Sequence, residues 1–170
     1  LLDACRGLPG LKGVLVATTD KCYKNQEWNW GYRETDPLGG HDPYSASKAA
    51  TDRVVESYRT SYFRESGSAL IASARAGNVV GGGDWSEDRL VPDIFRAIEN
   101  GNVLHVRSPG ATRPWQHVLE ALGGYLLLAC RLLEGDESCA RAWNFGPGTE
   151  SNQSVVEVLE LMAPHWPTLT

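Results

Sequence analysis

Two hydrophobic rhythms run along this chain. Residues 13–17 (GVLVA) form an unbroken apolar run, the pattern of a central parallel strand covered on both faces, and Thr18, Thr19, Asp20 and Lys21 follow at its carboxyl end. Residues 69–76 (ALIASARA) repeat the pattern and open into a glycine-rich turn running from Gly77 to Asp84. Between the two runs, Asp42 and Pro43 predict a helix start, a carboxylate N-cap followed by proline at the first helical position. Apolar spacing then predicts a helix over 44–64, with Ala49, Val54, Val55, Tyr58 and Tyr62 inward and Gly67 beyond its end. Later segments predict a helix over 91–100 closed by Gly101, an alternating strand over 102–107 (NVLHVR), and a largely apolar helix over 119–134. A short strand over 142–145 leads to a GPG turn, and a last helix over 155–162 is capped by Ser151 or Asn152. Residues 1–6 are a helical stub stopped by Gly7, Pro9 and Gly10, and 22–42 is a long loop rich in Trp, Gly, Asn and Asp. Strand and helix alternate without an internal repeat, which gives an α/β class.

Composition narrows this picture. At 170 residues, with 42% hydrophobic and 22% charged residues, the chain can bury a core and is not of the disordered class. Its net charge is −5 and its basic residues are scattered, which argues against a nucleic-acid surface but leaves room for a phosphate-bearing small ligand held by one or two arginines. Cys5, Cys22, Cys130 and Cys139 have neither CxxC spacing nor a histidine cluster, so no metal site is expected and the thiols read as free, in a reducing compartment. No signal peptide opens the chain and no apolar run reaches membrane-spanning length, which predicts a soluble cytoplasmic protein.

The candidate chemistry sits at the strand ends. Tyr44 and Lys48 are four residues apart on a predicted helix and project from one face. A tyrosine is a poor base at its ordinary pKa of about 10, but a nearby ammonium favours the phenolate, which can take a proton from a sugar hydroxyl while hydride leaves for a nicotinamide. The same spacing also arises by chance in a solvated helix; position between two strand ends is what singles it out. Thr19 can share a hydrogen bond with a substrate hydroxyl, and Asp20 beside Lys21 offers an acid and a base, or an ordinary turn with a surface ion pair. Asn78 and the run Gly81-Gly82-Gly83 suit either a phosphate approach or a tight turn; there is no GxGxxG fingerprint in the chain. Arg89, Arg113 and His117 are candidates for contacts to an anion, with His117 also readable as a packed helix-entry residue. Trp28, Trp30, Trp85 and Trp115 fall in loops, where they can stack on a base or close a small core.

The series TTDK, DPYSASK, RAGNVVGGGDW, DRLVPD, ATRPWQHV and WNFGP resembles the extended short-chain dehydrogenase/reductases, the NAD-dependent epimerases and dehydratases, and within them the CDP-glucose 4,6-dehydratase branch. The resemblance covers residues 14 to about 148. It implies NAD as cofactor, CDP-glucose as substrate, and conversion to a CDP-4-keto-6-deoxy sugar of deoxysugar biosynthesis, with a homodimer formed through the Tyr/Lys helix. It implies Tyr44 as base on the 4-hydroxyl, Thr19 orienting that hydroxyl, Asp20 as the acid for the departing 6-hydroxyl, and Lys21 where the dTDP-glucose dehydratases carry a glutamate. Lys21 then either removes the carbon 5 proton when neutral or stabilises the enolate when cationic. Lys48 holds the nicotinamide ribose, Thr18 and Val79 touch the cofactor, and Asn78, Arg89, Leu90, His105, Arg113 and Asn144 lie on the substrate side. Another nucleotide-sugar epimerase or dehydratase, and an inactive fragment that keeps the sugar-nucleotide groove, are the alternative readings.

The resemblance also predicts what is missing. The family's glycine-rich phosphate turn lies upstream of everything here, and the uncapped start LLDAC and the trailing end APHWPTLT read as those of a fragment. The expected architecture is a partial Rossmann-like parallel sheet with part of a smaller substrate-binding region. Residues 1–84 form the cofactor half with the Tyr/Lys helix, and 85–170 are mainly the substrate region with segments returning to the sheet.

Overall fold

A computed structural model describes residues 1–166; of the trailing end, 167–170 lie outside the described residues. In chain order the helices are α1 (Leu2–Cys5), α2 (Pro43–Tyr62), α3 (Leu90–Glu99), α4 (Val118–Leu133) and α5 (Val155–Met162). The strands are β1 (Gly13–Ala17), β2 (Leu70–Ala76), β3 (Val79–Val80), β4 (Thr112–Pro114), β5 (Gln116–His117), β6 (Ala142–Phe145) and β7 (Asn152–Ser154). They divide between two units, the first made of Leu1–Gly77 with Glu120–Gly146 and the second of Asn78–Leu119 with the chain from Pro147.

The first unit is built on a three-stranded parallel sheet in the order β1-β2-β6. Side chains alternate across it, and each face has its own core. Val14, Val16 and Ile71 point to one face and pack with Val55 of α2 and with Phe63. Leu15, Leu70 and Ala72 point to the other and pack with Leu128 and Leu132 of α4 and with Trp143 and Phe145 of β6. The sheet is therefore covered by α2 on one side and α4 on the other, an α/β/α sandwich of parallel strands. β1 stands at one end of the described three-strand order, and its apolar run matches a strand covered on both faces.

α2 starts where Asp42 and Pro43 predicted. The Asp42 carboxylate accepts hydrogen bonds from the backbone N–H of Tyr44 (2.9 Å) and Ser45 (3.0 Å). Gly40 passes so close to this first turn that a Cβ there would meet the backbone nitrogen of Ala46 at 2.5 Å, and only glycine fits. The inward face of the helix departs from expectation. Ala49 and Val55 are buried, but Val54 and Tyr62 are about half exposed, and the third buried position is Asp52. The inward stripe is thus 49, 52, 55, with a carboxylate in the middle. α4 shows a similar excess of exposed apolar residues, with Leu122, Leu126, Leu127 and Leu133 all exposed.

The second unit holds α3, α5 and two small ladders, β3 with β5 in parallel and β4 with β7 antiparallel. None of these two- and three-residue strands has a readable period. The strand expected over 102–107 is absent: the Asn102 N–H closes α3 by bonding to Ala97 O (2.8 Å), and Val103 is exposed with no ladder partner. The cap of α5 also differs. Asn152 is spent on β7, and Ser154 caps instead in a reciprocal box with Glu157, whose backbone N–H bonds to the Ser154 hydroxyl while its carboxylate accepts from the Ser154 N–H (2.7 Å). Among the described residues no helix is long and apolar enough to cross a membrane.

Candidate active site

The carboxyl end of β1 turns sharply into a 3₁₀ turn, Asp20–Cys22. Thr18 still belongs to the ladder, with its N–H on Ala74 O (2.7 Å) and its hydroxyl on the same oxygen (3.3 Å). Thr19 is buried and extended, and its hydroxyl caps the turn by accepting from the Lys21 N–H (3.4 Å) while donating to Asp20 Oδ1 (3.0 Å). The Lys21 ammonium lies 3.2 Å from the same carboxylate oxygen. The Thr19 hydroxyl and the Lys21 ammonium thus both reach one oxygen of Asp20 at the mouth of a parallel sheet, where open α/β sheets bind their ligands.

On α2, Tyr44 and Lys48 lie one turn apart, with Lys48 Nζ 5.7 Å from the centre of the Tyr44 ring. The Tyr44 side chain is half exposed, so its phenol can meet a ligand. Ala49, next to Lys48, packs on Cys22 and Tyr23, the residues that follow Lys21. The structure therefore brings the two strongest candidate groups into one unit: Thr18 to Lys21 on the strand-end turn, and Tyr44 with Lys48 on the adjoining helix.

Behind them lies a buried polar network that the sequence reading did not single out. Asp52 and Arg75 form an ion pair (3.0 Å) with side chains 1% and 5% exposed. Asp52 Oδ1 accepts from Ser73 Oγ (2.7 Å) and from Arg75 Nε (3.1 Å) and Nη2 (3.0 Å). Arg75 Nη1 donates to the Tyr23 hydroxyl (2.7 Å) and to Glu34 O (3.1 Å). The Tyr23 hydroxyl in turn donates to Asn144 Oδ1 (2.6 Å), and Asn144 Nδ2 donates to Tyr32 O (2.8 Å). Asn144, expected on the substrate side, thus engages both ends of its amide inside the unit. The loop stacks its aromatic rings in series, Tyr23 on Tyr32 at 4.9 Å, Tyr32 near Trp28 at 5.2 Å, and Trp28 on Trp30 at 5.0 Å, with Trp30 at the exposed end of the stack.

Burial, reinforced by the neighbouring Asp52 carboxylate and opposed by Arg75, pushes the Cys22 thiol from 9.0 up to about 12. The unfolded chain releases this proton above about pH 9 whereas the folded chain holds it to about pH 12. Cys22 therefore leaves stability unchanged below about pH 9 and erodes it as pH rises through that window, by at most about 1.4 kcal/mol per pH unit. Urea midpoints measured at pH 8 and pH 10.5 should fall more steeply for the native sequence than for Cys22→Ala; equal slopes would refute the buried neutral thiol.

The remaining candidates lie in the second unit. Asn78 O accepts from the Gln116 N–H (3.4 Å), and Val79 pairs with Gln116 in β3. In the glycine run, a Cβ on Gly81 would meet Val118 Cγ1 at 2.5 Å, so close approach to a side chain explains that position. Arg89, exposed, precedes α3 and pairs with Asp84 (2.9 Å), and Leu90 opens the helix. His105 is exposed and lines an open cavity of about 380 Å³ with Asp93, Arg96 and Asn100. Arg113, exposed on β4, donates to the carbonyl of Thr112 (2.7 Å). His117 Nδ1 accepts from the Leu119 N–H (3.3 Å), a helix-entry role.

The family described as NAD dependent epimerase/dehydratase matches residues 1–146. A CDP-glucose 4,6-dehydratase of Salmonella typhimurium is 45% identical over 170 residues, covering 98% of this chain and 47% of the relative. A low-salt glycan biosynthesis protein, Agl12, of Haloferax volcanii is 32% identical over 159 residues, covering 92% of this chain and 47% of its own. The fold is that of a dTDP-glucose 4,6-dehydratase of Bacillus anthracis solved in complex with NAD, with a TM-score of 0.77 at 21% identity over 96% of this chain and 48% of that one. The chain spans about half the length of the curated relatives it matches.

Proposed function

Because the chain belongs to the NAD dependent epimerase/dehydratase family, we propose that it carries the catalytic part of an NAD-dependent nucleotide-sugar 4,6-dehydratase acting on CDP-glucose. The observation that carries this reading is the placement of Thr19, Asp20 and Lys21 beside the helix that bears Tyr44 and Lys48. The 45% identity to a CDP-glucose 4,6-dehydratase supports the choice of nucleotide.

The residues present fit the nicotinamide end of NAD. A half-exposed phenol and an ammonium lie one turn apart on the helix that packs against the strand-end turn, a pair suited to ribose hydroxyls. Lys48 would hold that ribose, with Thr18 and Val79 as further contacts. Bound there, NAD would supply the hydride acceptor for oxidation at carbon 4 and the hydride donor for reduction at carbon 6.

The chain's own residues move the protons. Thr19 orients the 4-hydroxyl, and the Tyr44 phenolate takes its proton as the carbonyl forms. The new carbonyl acidifies carbon 5. The elimination then calls on Lys21 as the neutral amine and Asp20 as the carboxylic acid, two groups that lie 3.2 Å apart. The amine removes the carbon 5 proton, and the acid protonates the departing 6-hydroxyl, which leaves as water. The lysine proton then returns to carbon 5 while the Tyr44 proton restores Asp20. The net change is loss of one water with carbon 4 oxidised and carbon 6 reduced.

Arg89 and Arg113 are exposed guanidiniums suited to diphosphate oxygens, with Asn78, Leu90 and His105 as further substrate-side residues. Exposed Val54 and Tyr62 on α2 support a homodimer through that helix in the whole enzyme. The test is incubation of the full-length protein with NAD and each of CDP-, dTDP-, UDP- and GDP-glucose while a 4-keto product is assayed. CDP-glucose should turn over fastest; product from another nucleotide sugar but none from CDP-glucose would reject the assignment.

A further inference from the structure

The proposed acid-base set is split between two elements. Thr19, Asp20 and Lys21 ride on a short 3₁₀ turn, and Tyr44 and Lys48 ride on α2. Cys22 and Tyr23 pack on Ala49, and a buried ion pair also links the segment after the turn to the helix. Asp52 stands one turn beyond Lys48. Its Oδ1 accepts the Nε and Nη2 edge of Arg75 and the Ser73 hydroxyl, and the carboxylate neighbours Cys22, the residue after Lys21. The remaining corner of the guanidinium, Nη1, holds the hydroxyl of Tyr23, the next residue along, and the Glu34 carbonyl.

We infer that Asp52 and Arg75 form a clamp that sets the Thr19-Asp20-Lys21 turn in register with the Tyr44/Lys48 helix. They are positioning residues for the dehydration proposed above, and the inference rests on that reading for its catalytic consequence. Stability alone does not account for such a pair, because apolar residues of similar volume commonly replace a buried ion pair at no loss. Direction does account for it. The planar guanidinium fork fixes Asp52 on one edge and Tyr23 on its far corner at once, which neither a lysine nor an apolar side chain can do. A reaction that passes protons among Tyr44, Asp20 and Lys21 needs that register, since a shift of about 1 Å in reacting groups can cost about a hundredfold in rate.

The test compares the full-length protein with the apolar triple Asp52→Leu/Ser73→Ala/Arg75→Met and with Arg75→Lys, which keeps the charge and loses the fork. In the triple, melting temperature should stay near that of the native sequence. Its kcat for CDP-glucose should fall at least about tenfold, with substrate Kd changed less than about threefold. Backbone amides of Cys22 and Tyr23 should exchange with deuterium faster while those of β2 keep their protection. A folded triple with native kcat, a loss confined to Kd, or unchanged exchange at Cys22 and Tyr23 would overturn the clamp. Should the triple fail to fold, Arg75→Lys decides by the same kcat and exchange readings. If the native protein turns over no nucleotide sugar, the dehydratase reading fails, and the exchange rates still decide whether Asp52 and Arg75 hold the turn.

Discussion

Replacing Tyr44 by phenylalanine should lower kcat for CDP-glucose by about 10²–10⁴-fold while substrate affinity changes little. The substitution removes one oxygen from a half-exposed ring and leaves the helix start intact, because the cap bonds of Asp42 run to backbone N–H groups at Tyr44 and Ser45 and not to the phenol. The packing of Ala49 on Cys22 is likewise untouched. What is lost is the phenolic oxygen proposed to take the 4-hydroxyl proton, on the ring beside the Lys48 ammonium. Steady-state kinetics with calorimetric measurement of substrate binding separates the two effects. Turnover above a tenth of the native value would remove Tyr44 as the base.

The largest loss of stability should come from Asp52→Ala. The substitution leaves the Arg75 guanidinium in a site 5% exposed without its counter-charge and leaves the Ser73 hydroxyl, also buried, without its acceptor. Removing one partner of such a pair costs about 3–5 kcal/mol, unlike exchange of the whole pair for apolar residues, which is near neutral. Urea unfolding of the full-length protein measures this directly. A loss under about 1 kcal/mol would show that the pair is relaxed by water or by other partners. The contrast with the apolar triple is the informative part, because both variants lose Asp52 and only Asp52→Ala leaves the buried guanidinium behind.

The sheet and its two covering helices were legible in the sequence because each carries a strong local signal. Apolar runs at 13–17 and 69–76 are long enough to read, and Asp42-Pro43 marks the α2 start through backbone chemistry that needs no tertiary context. The candidate set Thr19, Asp20, Lys21, Tyr44 and Lys48 was legible for the same reason, since it sits at the ends of those elements. The ladders β3–β5 and β4–β7 were not, because strands of two or three residues have no period and exist only through their partners. The strand expected at 102–107 had the right alternation and no partner, so tertiary pairing overrode the local pattern. Asp52 and Arg75 were hidden by being polar in a core. Their trace is the three-residue spacing of Ala49, Asp52 and Val55, with Ser73 and Arg75 on the facing side of a buried strand. Asn144 shows the converse, a residue that family resemblance assigns to a ligand while its neighbours claim its amide.

The strand order carries a consequence for how the protein is made. β2 pairs with β1 and β6, but its partner β6 lies about 70 residues later in the chain, beyond most of the second unit. At roughly 5–20 residues per second, several seconds of synthesis separate the two strands. During that interval the α2 side of the sheet, with Val14, Val16, Val55, Phe63 and Ile71, can close on its own. The opposite side, with Leu15, Leu70 and Ala72, waits for Leu128, Leu132, Trp143 and Phe145. A nascent chain paused between residues 77 and 120 should therefore present a half-finished, sticky sheet to the ribosome's surroundings. That makes this window the natural point for chaperone capture, and the place where slow translation would favour aggregation.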